Sequence, residues 1–492
     1  MADFRKMAGN MISGIGNAAG KAVGAVAGGI RKGGRGIGAA AARAAGAGKK
    51  AAEAARGAVA GAANSASHAA SEVAAAAAGD RYVYAPPAQA VLDEQREISR
   101  RLGEGESPSE VLGDEVSLPD NAYAPVFSVI ITTNEPTLRH FERTLSSVLL
   151  QTYGQFEIIV ADRSLTAGVR ELLQYYPDNR IRYLSLAGCR GEAQVLNTAA
   201  RNCIGDYLLR AEVGDLLTAD ALFEIFLYLV RTNAELVYTD EDHIDSSGRK
   251  QYIPDRKPGF NKDYLLSTNY VGHLLAVRRE LFLALKCRRE FEGALDYDLM
   301  LRAPKSAVGH IAKILYHSTG VTAAEREPEE GRIREAGRAA LQAYFRERRI
   351  PAEVSSEDGS RLYTVRYAPD IFTARSDVGI VGGKVLNRRH RIAGGMMDSA
   401  GRVMFEGWDE AEGGPFDRAL TVQDAIAVDV RCMRVRPELQ GLYTGIFGDP
   451  EDPGHLSGRS EEDLMADSLR FCRMVREMGY LVVWDPGMIS VQ

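Results

Sequence analysis

Two acidic clusters carry the residue types most able to do chemistry: Asp240-Glu241-Asp242 in ELVYTDEDHID, and Asp296 with Asp298 in FEGALDYDLMLR. Carboxylates in such clusters act as general bases or hold a cation that bridges phosphates. The first cluster follows Glu235 to Tyr238, a short apolar run that reads as a strand. Open α/β sheets place their ligands at strand ends of this kind. The second cluster opens a helix-like run from Asp298 to Arg302. Each cluster alone has a plain structural reading as well, a solvated turn for one and a helix cap for the other. The order of elements before them favours chemistry.

That order is an alternation. FSVIITT (Phe127–Thr133) reads as a buried strand, and Leu138, Phe141, Leu145, Val148 and Leu149 give helical spacing from Thr137 to Gln151. FEIIVA (Phe156–Ala161) is the next strand, ending at Asp162. A short helix over Val169–Tyr175, a strand over Ile181–Leu186, a helix over Ala193–Cys203 and a strand over Tyr207–Leu209 follow. A helix over Ala219–Arg231 then leads into Leu236–Tyr238. This spacing predicts a parallel, doubly wound α/β sheet with ligands at the strand ends. Neither GxGxxG nor GxxxxGK[ST] occurs, so the dinucleotide and P-loop routes to phosphate binding are not indicated.

The stretch FSVIITTNE, continuing through LRHFERTLSSVLLQTYGQFEIIVAD, resembles the opening of glycosyltransferase family 2, whose fold is GT-A. ELVYTDEDHID, NYVGHLLAVRRELF, FEGALDYDLMLR and HIAKILYH, in that order, resemble the branch that builds bacterial surface polysaccharides of O-antigen and rhamnan type. The resemblance implies a nucleotide-sugar donor, a glycan or lipid-linked acceptor, a divalent metal (Mg²⁺ or Mn²⁺) and an inverting displacement. It implies that Thr132, Asn134 and Glu135 border the nucleoside and that Asp162 contacts the base or ribose. Asp296 matches the catalytic base. Glu212 and Asp215 fall on the metal-binding run, and His317, closing LYH, approaches the diphosphate or metal. Asp240 and Asp242 are further candidates at the donor site. The sequence also departs from the family. The usual Asp-x-Asp is RAEVGD here, with Glu212 for the first Asp and Gly214 for the second; Arg163 follows Asp162, and Leu295 precedes Asp296.

At 492 residues the chain accommodates two or three domains. Residues 1–79 hold ten Lys/Arg and three acids, whereas the whole chain has a net charge of −6, so the remainder is strongly acidic. An acidic body argues against nucleic acid as a partner. The five cysteines show no CxxC or other close pair, so neither a zinc site nor a disulfide framework is suggested, and they fit buried thiols in a reducing cytoplasm. No secretory signal and no spanning helix are expected, so the expected location is cytoplasmic, peripheral on the inner membrane face if the arm binds lipid.

Residues 1–79 form a basic Ala/Gly-rich arm, helical or disordered. Gly16, Gly20, Gly24 and Gly28 recur every four residues, a ridge of the kind that lets helices approach closely. Two readings stand: a basic amphipathic arm for an anionic membrane surface or self-association, and a low-complexity tail. Residues 80–125 are a Pro-containing linker with a short helix over Ala90–Arg101, and 126–350 are the glycosyltransferase-like domain. In 351–492, DVGIVGGKVL, AIAVDVRCMRVRPEL and LRFCRMVREMGYLVVWDP resemble the second half of a further family 2 domain. Its nucleotide-binding first half is missing, because about ten residues do not hold a βαβ crossover. The expectation is therefore an inverting glycosyltransferase followed by a partial, non-catalytic GT-A-like unit. The alternatives are an impaired pseudo-glycosyltransferase serving as a scaffold through its arm, and a self-assembling coat protein.

Overall fold

The run Phe127–Thr133 forms β1, and its apolar side chains point to both faces of one sheet. Ile130 enters one core, while Val129 and Ile131 enter the other. A strand buried on both faces belongs at a sheet's centre. The computed structural model describes residues 84–492 except 114–117, 120–121, 246–253, 320–322 and 358. The arm over 1–79 and its glycine ridge lie outside the described residues.

The linker forms α1 (Gln89–Gly103) and α2 (Pro108–Leu112). Ser107 caps α2 in a reciprocal capping box with Glu110. After β1 come α3 (Leu138–Leu149), β2 (Phe156–Asp162), α4 (Gly168–Leu173), β3 (Ile181–Ser185), α5 (Glu192–Asn202) and β4 (Tyr207–Ala211). Next are β5 (Leu216–Leu217), α6 (Ala221–Thr232), β6 (Leu236–Ile244), α7 (Lys262–Ser267), β7 (Leu275–Arg278), α8 (Arg279–Leu285), α9 (Leu295–Arg302), β8 (Val308–Thr319) and α10 (Ala323–Glu347).

The sheet has eight strands in the order β3-β2-β1-β4-β7-β6-β8-β5. The β1–β4 half is parallel as expected, but β7 runs antiparallel to both β4 and β6. The sheet is therefore mixed rather than wholly parallel, because β7 enters from a loop rather than from a crossover helix. A second correction concerns β6. It does not end at Tyr238 but pairs with β8 as far as Ile244 opposite Thr319, so Asp240, Glu241 and Asp242 lie inside a strand. They are buried at 2%, 4% and 0% exposure, which excludes the solvated-turn reading.

The C-terminal part begins with the hairpin β9 (Ala352–Ser356) and β10 (Tyr363–Tyr367), then α11 (Ile371–Ala374) and β11 (Val378–Leu386). It continues through β12 (Ile392–Gly394), β13 (Met396–Met397), β14 (Gln423–Asp424), β15 (Ala427–Val428) and β16 (Met433–Val435). The helices α12 (Gln440–Phe447) and α13 (Glu461–Glu477) precede the last strand, β17 (Leu481–Val491). Its strands β16, β11, β17 and β14 are neighbours in that order, with directions antiparallel, parallel, antiparallel. The set β7, β6, β8, β5 of the large sheet has the same order and directions. The C-terminal part thus matches that half in neighbour order and strand direction, although β14 follows β11 in the chain whereas β5 precedes β6, and it has its own core around Trp484, Phe471 and Phe405.

The C-terminal part is fastened to α7. Arg375 places Nη1 2.5 Å from Asp263 Oδ1 and Nη2 3.3 Å from Oδ2, with both side chains buried. Asp424 accepts the backbone N–H of Lys262, and Asn261 exchanges hydrogen bonds with the Asp424 backbone. Among the described residues no helix is long and apolar enough to cross a membrane. Removing one partner of a buried ion pair strands the other, so Arg375→Ala should lower stability by about 3–5 kcal/mol in urea unfolding. A loss below about 1 kcal/mol, the range of an exposed pair, would show that the Asp263 pair does not hold the two parts together.

Candidate active site

The strand ends of the large sheet converge on one polar line. Arg210 sits near the end of β4 on the same face as Leu208, which packs into the core shared with α5, α8 and α9. Its guanidinium meets three carboxylates from three elements. Nη1 is 3.1 Å from Asp296 Oδ2 in the first turn of α9, and Nη2 is 3.3 Å from Glu192 Oε1 in the first turn of α5. Nη2 also pairs with Glu212, just past β4. Thr132 Oγ1, at the end of β1, lies 3.4 Å from Glu192 Oε1.

Glu292 fixes how α5 and α9 face each other. Its carboxylate accepts the N–H groups of Glu192 and Ala193, both at 2.9 Å, satisfying donors at the start of α5 from the loop that leads into α9. Burial pushes the Glu192 carboxyl up, against the pull of Arg210. Arg210 holds the Glu212 carboxyl down against burial.

Beyond Glu212 the line continues to Asp215, His273 and Tyr316. Asp215 is fully bonded: Oδ1 accepts from Thr319 N at 2.7 Å and Thr319 Oγ1 at 2.8 Å, and Oδ2 accepts from Tyr316 OH at 2.8 Å. Burial pushes its carboxyl up. His273 Nδ1 is 3.3 Å from both Glu241 carboxylate oxygens, and its ring stacks on Tyr316 at 5.4 Å. Burial alone would lower the imidazole pKa, but Glu241 first, then Glu212 and Asp215, raise it to about 9. Glu241 in turn pairs with Lys257 Nζ at 3.0 Å. Burial opposes ionisation of Glu241, and Lys257 and His273 overcome it, holding the carboxyl far below its usual range.

The structure distributes the expected site residues unevenly. Asp296, Glu212 and Asp215 come together on the line, and Thr132 reaches it through Glu192. His317 does not join Asp215: its Nδ1 bonds Asp242 Oδ1 at 2.5 Å, and Asp242 Oδ2 is buried without a partner. Asp240 accepts from Lys257 N and pairs with His310 Nε2 at 2.8 Å, a structural assignment within the strand. Asp162 is wholly buried, with Oδ1 accepting from Ser164 N and Oδ2 from the Tyr183 hydroxyl. Glu135, at φ 49°, accepts from Leu165 N, Thr166 N and Thr166 Oγ1 and so closes the loop after β2. Asn134 is exposed at the same turn. Asp298, the second acid of its cluster, is buried between Arg288 and Arg302, so it is structural.

Arg210, Glu192 and His273 were not anticipated. An arginine inside a buried strand was a signal, since such a residue is rarely enclosed without acidic partners. His273 and Glu192 had no signal, because their roles come from elements that meet only in the fold.

Glu212, Asp215 and His273 bring one ligand atom each within 4.8 Å of one another, a spacing that admits a divalent cation. The state of the donors fits one less well. Glu212 is paired with Arg210, both Asp215 oxygens accept hydrogen bonds, and Glu241 draws the His273 imidazole toward its protonated form. Gly214, where the family has its second Asp, has φ 104°, and a Cβ there would lie 2.9 Å from Thr319 Oγ1. A side chain at that position is both strained and blocked. A second group, Glu241, His243 and Asp255, meets the same spacing, but Lys257 neutralises Glu241.

Comparison with known proteins places this site in a family. The model for Glycosyl transferase family 2 matches residues 128–285. The chain is 31% identical over 271 residues to the O-antigen biosynthesis protein RfbC of Myxococcus xanthus, covering 53% of this chain and 21% of that protein. It is 26% identical over 135 residues to the UDP-Glc:alpha-D-GlcNAc-diphosphoundecaprenol beta-1,3-glucosyltransferase WfgD of Escherichia coli, covering 27% of this chain and 53% of that protein. The match thus spans about a fifth of the first relative and about half of the second. Among solved structures, S. aureus TarS 1-349 in complex with UDP-GlcNAc aligns at 16% identity and TM-score 0.36, over 45% of this chain and 66% of that one. Mannosyltransferase PcManGT from Pyrobaculum calidifontis, in complex with GDP-Man and Mn2+, aligns at 18% identity and TM-score 0.34, over 52% and 82%. The matched span runs from β1 to α8 and holds Arg210, Glu212, Asp215 and His273. Over residues 128–285, then, the chain carries a domain of the Glycosyl transferase family 2 type.

Proposed function

We propose that the chain transfers a sugar from a nucleotide-sugar donor to a growing surface polysaccharide or related glycan, with inversion at the anomeric carbon. The observation that carries this reading is the position of Asp296. It stands in the first turn of α9, its side chain is 37% exposed, and it lines the cleft formed by Arg210, Glu212, His273 and Tyr316. A partly exposed carboxylate beside a largely buried guanidinium suits a general base for a bulky incoming hydroxyl.

In the reaction, Asp296 takes the proton of an acceptor hydroxyl. The oxygen forms a bond to the anomeric carbon from the face opposite the leaving group. The bond from that carbon to the phosphate oxygen breaks, and the nucleoside diphosphate leaves with its electron pair. Arg210 and His273 give the cleft fixed positive charge on the side where negative charge develops. The names of RfbC and WfgD, O-antigen assembly and transfer from UDP-glucose, support a nucleotide-sugar donor and a polysaccharide acceptor. Residues 351–492 serve in this reading as a partial second glycosyltransferase-like unit without a base of its own. The chain works at the inner face of the cytoplasmic membrane, with the arm over 1–79 as the contact to anionic lipid or to another copy. The contrasting reading, a scaffold that no longer transfers sugar, is favoured by Gly214 and by the fully engaged Asp162 carboxylate.

Asp296→Asn decides between them. It should lower kcat for transfer by about 10²–10⁴-fold. Arg210 keeps two other partners, so the loss of stability should stay within about 1 kcal/mol. Transfer unchanged in Asp296→Asn would remove the base, and no transfer by the unsubstituted chain with UDP-sugar or GDP-sugar donors would favour the scaffold. A second outcome follows from His273. Its folded pKa of about 9 lies above the ordinary 6.5, so the stabilisation it gives is complete below pH 6.5 and is lost as pH rises through about 9. Its ring protons should therefore titrate by NMR with a midpoint near 9; a midpoint near 6.5 would show that Glu241 does not hold the imidazolium.

A further inference from the structure

We infer that Arg210 occupies the place of the divalent cation in this site, so that the donor diphosphate meets a guanidinium fixed by the chain rather than a bound metal. The inference rests on the donor reading given above and concerns how that donor is held.

Three observations carry it. First, the acids that converge here already have a counter-ion. Glu192, Glu212 and Asp296 come from α5, from the loop after β4 and from α9, and the one group that touches all three is the Arg210 guanidinium. The planar fork of a guanidinium presents five N–H donors in fixed directions, so it meets carboxylates from three elements at once. A metal binding Glu212 would have to break that pair and leave a largely buried cation short of partners, an arrangement strongly disfavoured in an interior.

Second, the backbone excludes the missing ligand. Thr144 Oγ1 accepts the Gly214 N–H at 2.9 Å and donates to the carbonyl of Asp215 at 2.9 Å, pinning the loop over 212–215. In that pinned state Gly214 has the left-handed φ of 104°, with Thr319 Oγ1 2.9 Å from where a Cβ would lie. The loop is therefore shaped around the absence of a side chain, and not merely lacking one.

Third, Asp215, the remaining carboxylate of the run, faces inward. Its three hydrogen bonds come from the Tyr316 hydroxyl and from Thr319, and it ties the loop to β8. It acts as a strut between two elements.

The test uses the full chain and two probes, Mn²⁺ alone and the nucleotides UDP and GDP, by calorimetric titration. The unsubstituted chain should show no saturable Mn²⁺ uptake up to about 1 mM, the weak end of oxygen-ligand cation sites. Its affinity for UDP or GDP should agree within about twofold between EDTA and Mn²⁺, less than 0.5 kcal/mol by the affinity relation. Arg210→Met strips the counter-ion from three carboxylates and should acquire Mn²⁺ uptake, whereas Arg210→Lys should not; melting curves establish that both variants are folded. Mn²⁺ uptake by the unsubstituted chain that disappears in Glu212→Gln overturns the inference without touching the donor reading. So does nucleotide binding that tightens about tenfold or more with Mn²⁺, a difference of 1.4 kcal/mol. A folded Arg210→Met that takes up no Mn²⁺ overturns the claim that the guanidinium excludes the metal. Failure to bind either nucleotide under both conditions overturns the donor reading, and the role of Arg210 toward a diphosphate with it.

Discussion

The pairing of β6 with β8 is the constraint on which the site depends. A nine-residue strand that runs on past Tyr238 to Ile244 buries three consecutive acids, and buried carboxylates are tolerated only when paired or hydrogen-bonded. Each one has a basic partner: Asp240 has His310, Glu241 has Lys257 and His273, and Asp242 has His317. Those partners set the rest of the cleft. Lys257 and His273 lie on the two chain segments that flank α7, so satisfying Glu241 fixes both. His273 then stacks on Tyr316, Tyr316 bonds Asp215, and Asp215 holds the loop that carries Glu212. Register shifts between Thr239 and Glu241 let the pairing absorb this geometry without ending the strand.

Much of the fold was legible because β1, β2 and β4 are apolar runs between amphipathic helices, and that pattern has few solutions. Asp296 was legible for the same reason: it opens a helix at the end of an ordered series of motifs. The errors have physical causes. TDEDHI looks like a turn when acids are assumed to seek water, and only the basic partners brought by β8 and the 255–273 segment turn it into strand. The four-residue β7 is too short to announce its direction. Asp162 and Glu135 have the residue types of a nucleoside site, but one is consumed by Ser164 and Tyr183 and the other by the loop at Thr166. Hydrogen-bond partners of this kind are set in three dimensions and leave no trace in residue spacing. Arg210 shows the converse, since a charged residue in a buried strand required the acids that the fold supplies.

The C-terminal sheet shows why strand order alone does not make a site. It repeats the arrangement around β6, yet β11 has Gly382, Gly383 and Lys384 where its interior faces neighbours. A Cβ on Gly382 would lie 2.4 Å from Val428, and one on Gly383 would lie 2.2 Å from the Met488 carbonyl oxygen. The glycines admit close packing across both faces, and the space that a cleft would need is filled. Lys384 is buried with its Nζ on the Glu410 carbonyl at 2.6 Å, so even the charged residue of the strand is turned to structure.

The C-terminal part is tied into the same set of contacts as Asp296. Asp424 and Arg375 hold the start of α7 from one side, and Tyr297 of α9 donates its hydroxyl to the Leu265 carbonyl on the same helix at 2.7 Å. Tyr297 is adjacent to Asp296 and fully enclosed, so its hydrogen bond sets the rotation of α9 and therefore the direction of the Asp296 carboxylate. A general base loses effect steeply when displaced by about 1 Å. The same helix is gripped at its N-terminal side by Glu292 through α5 and at its C-terminal side by Lys262 Nζ on the Leu301 carbonyl at 2.7 Å. The C-terminal part thus has a direct path of hydrogen bonds and buried contacts to the helix that carries Asp296.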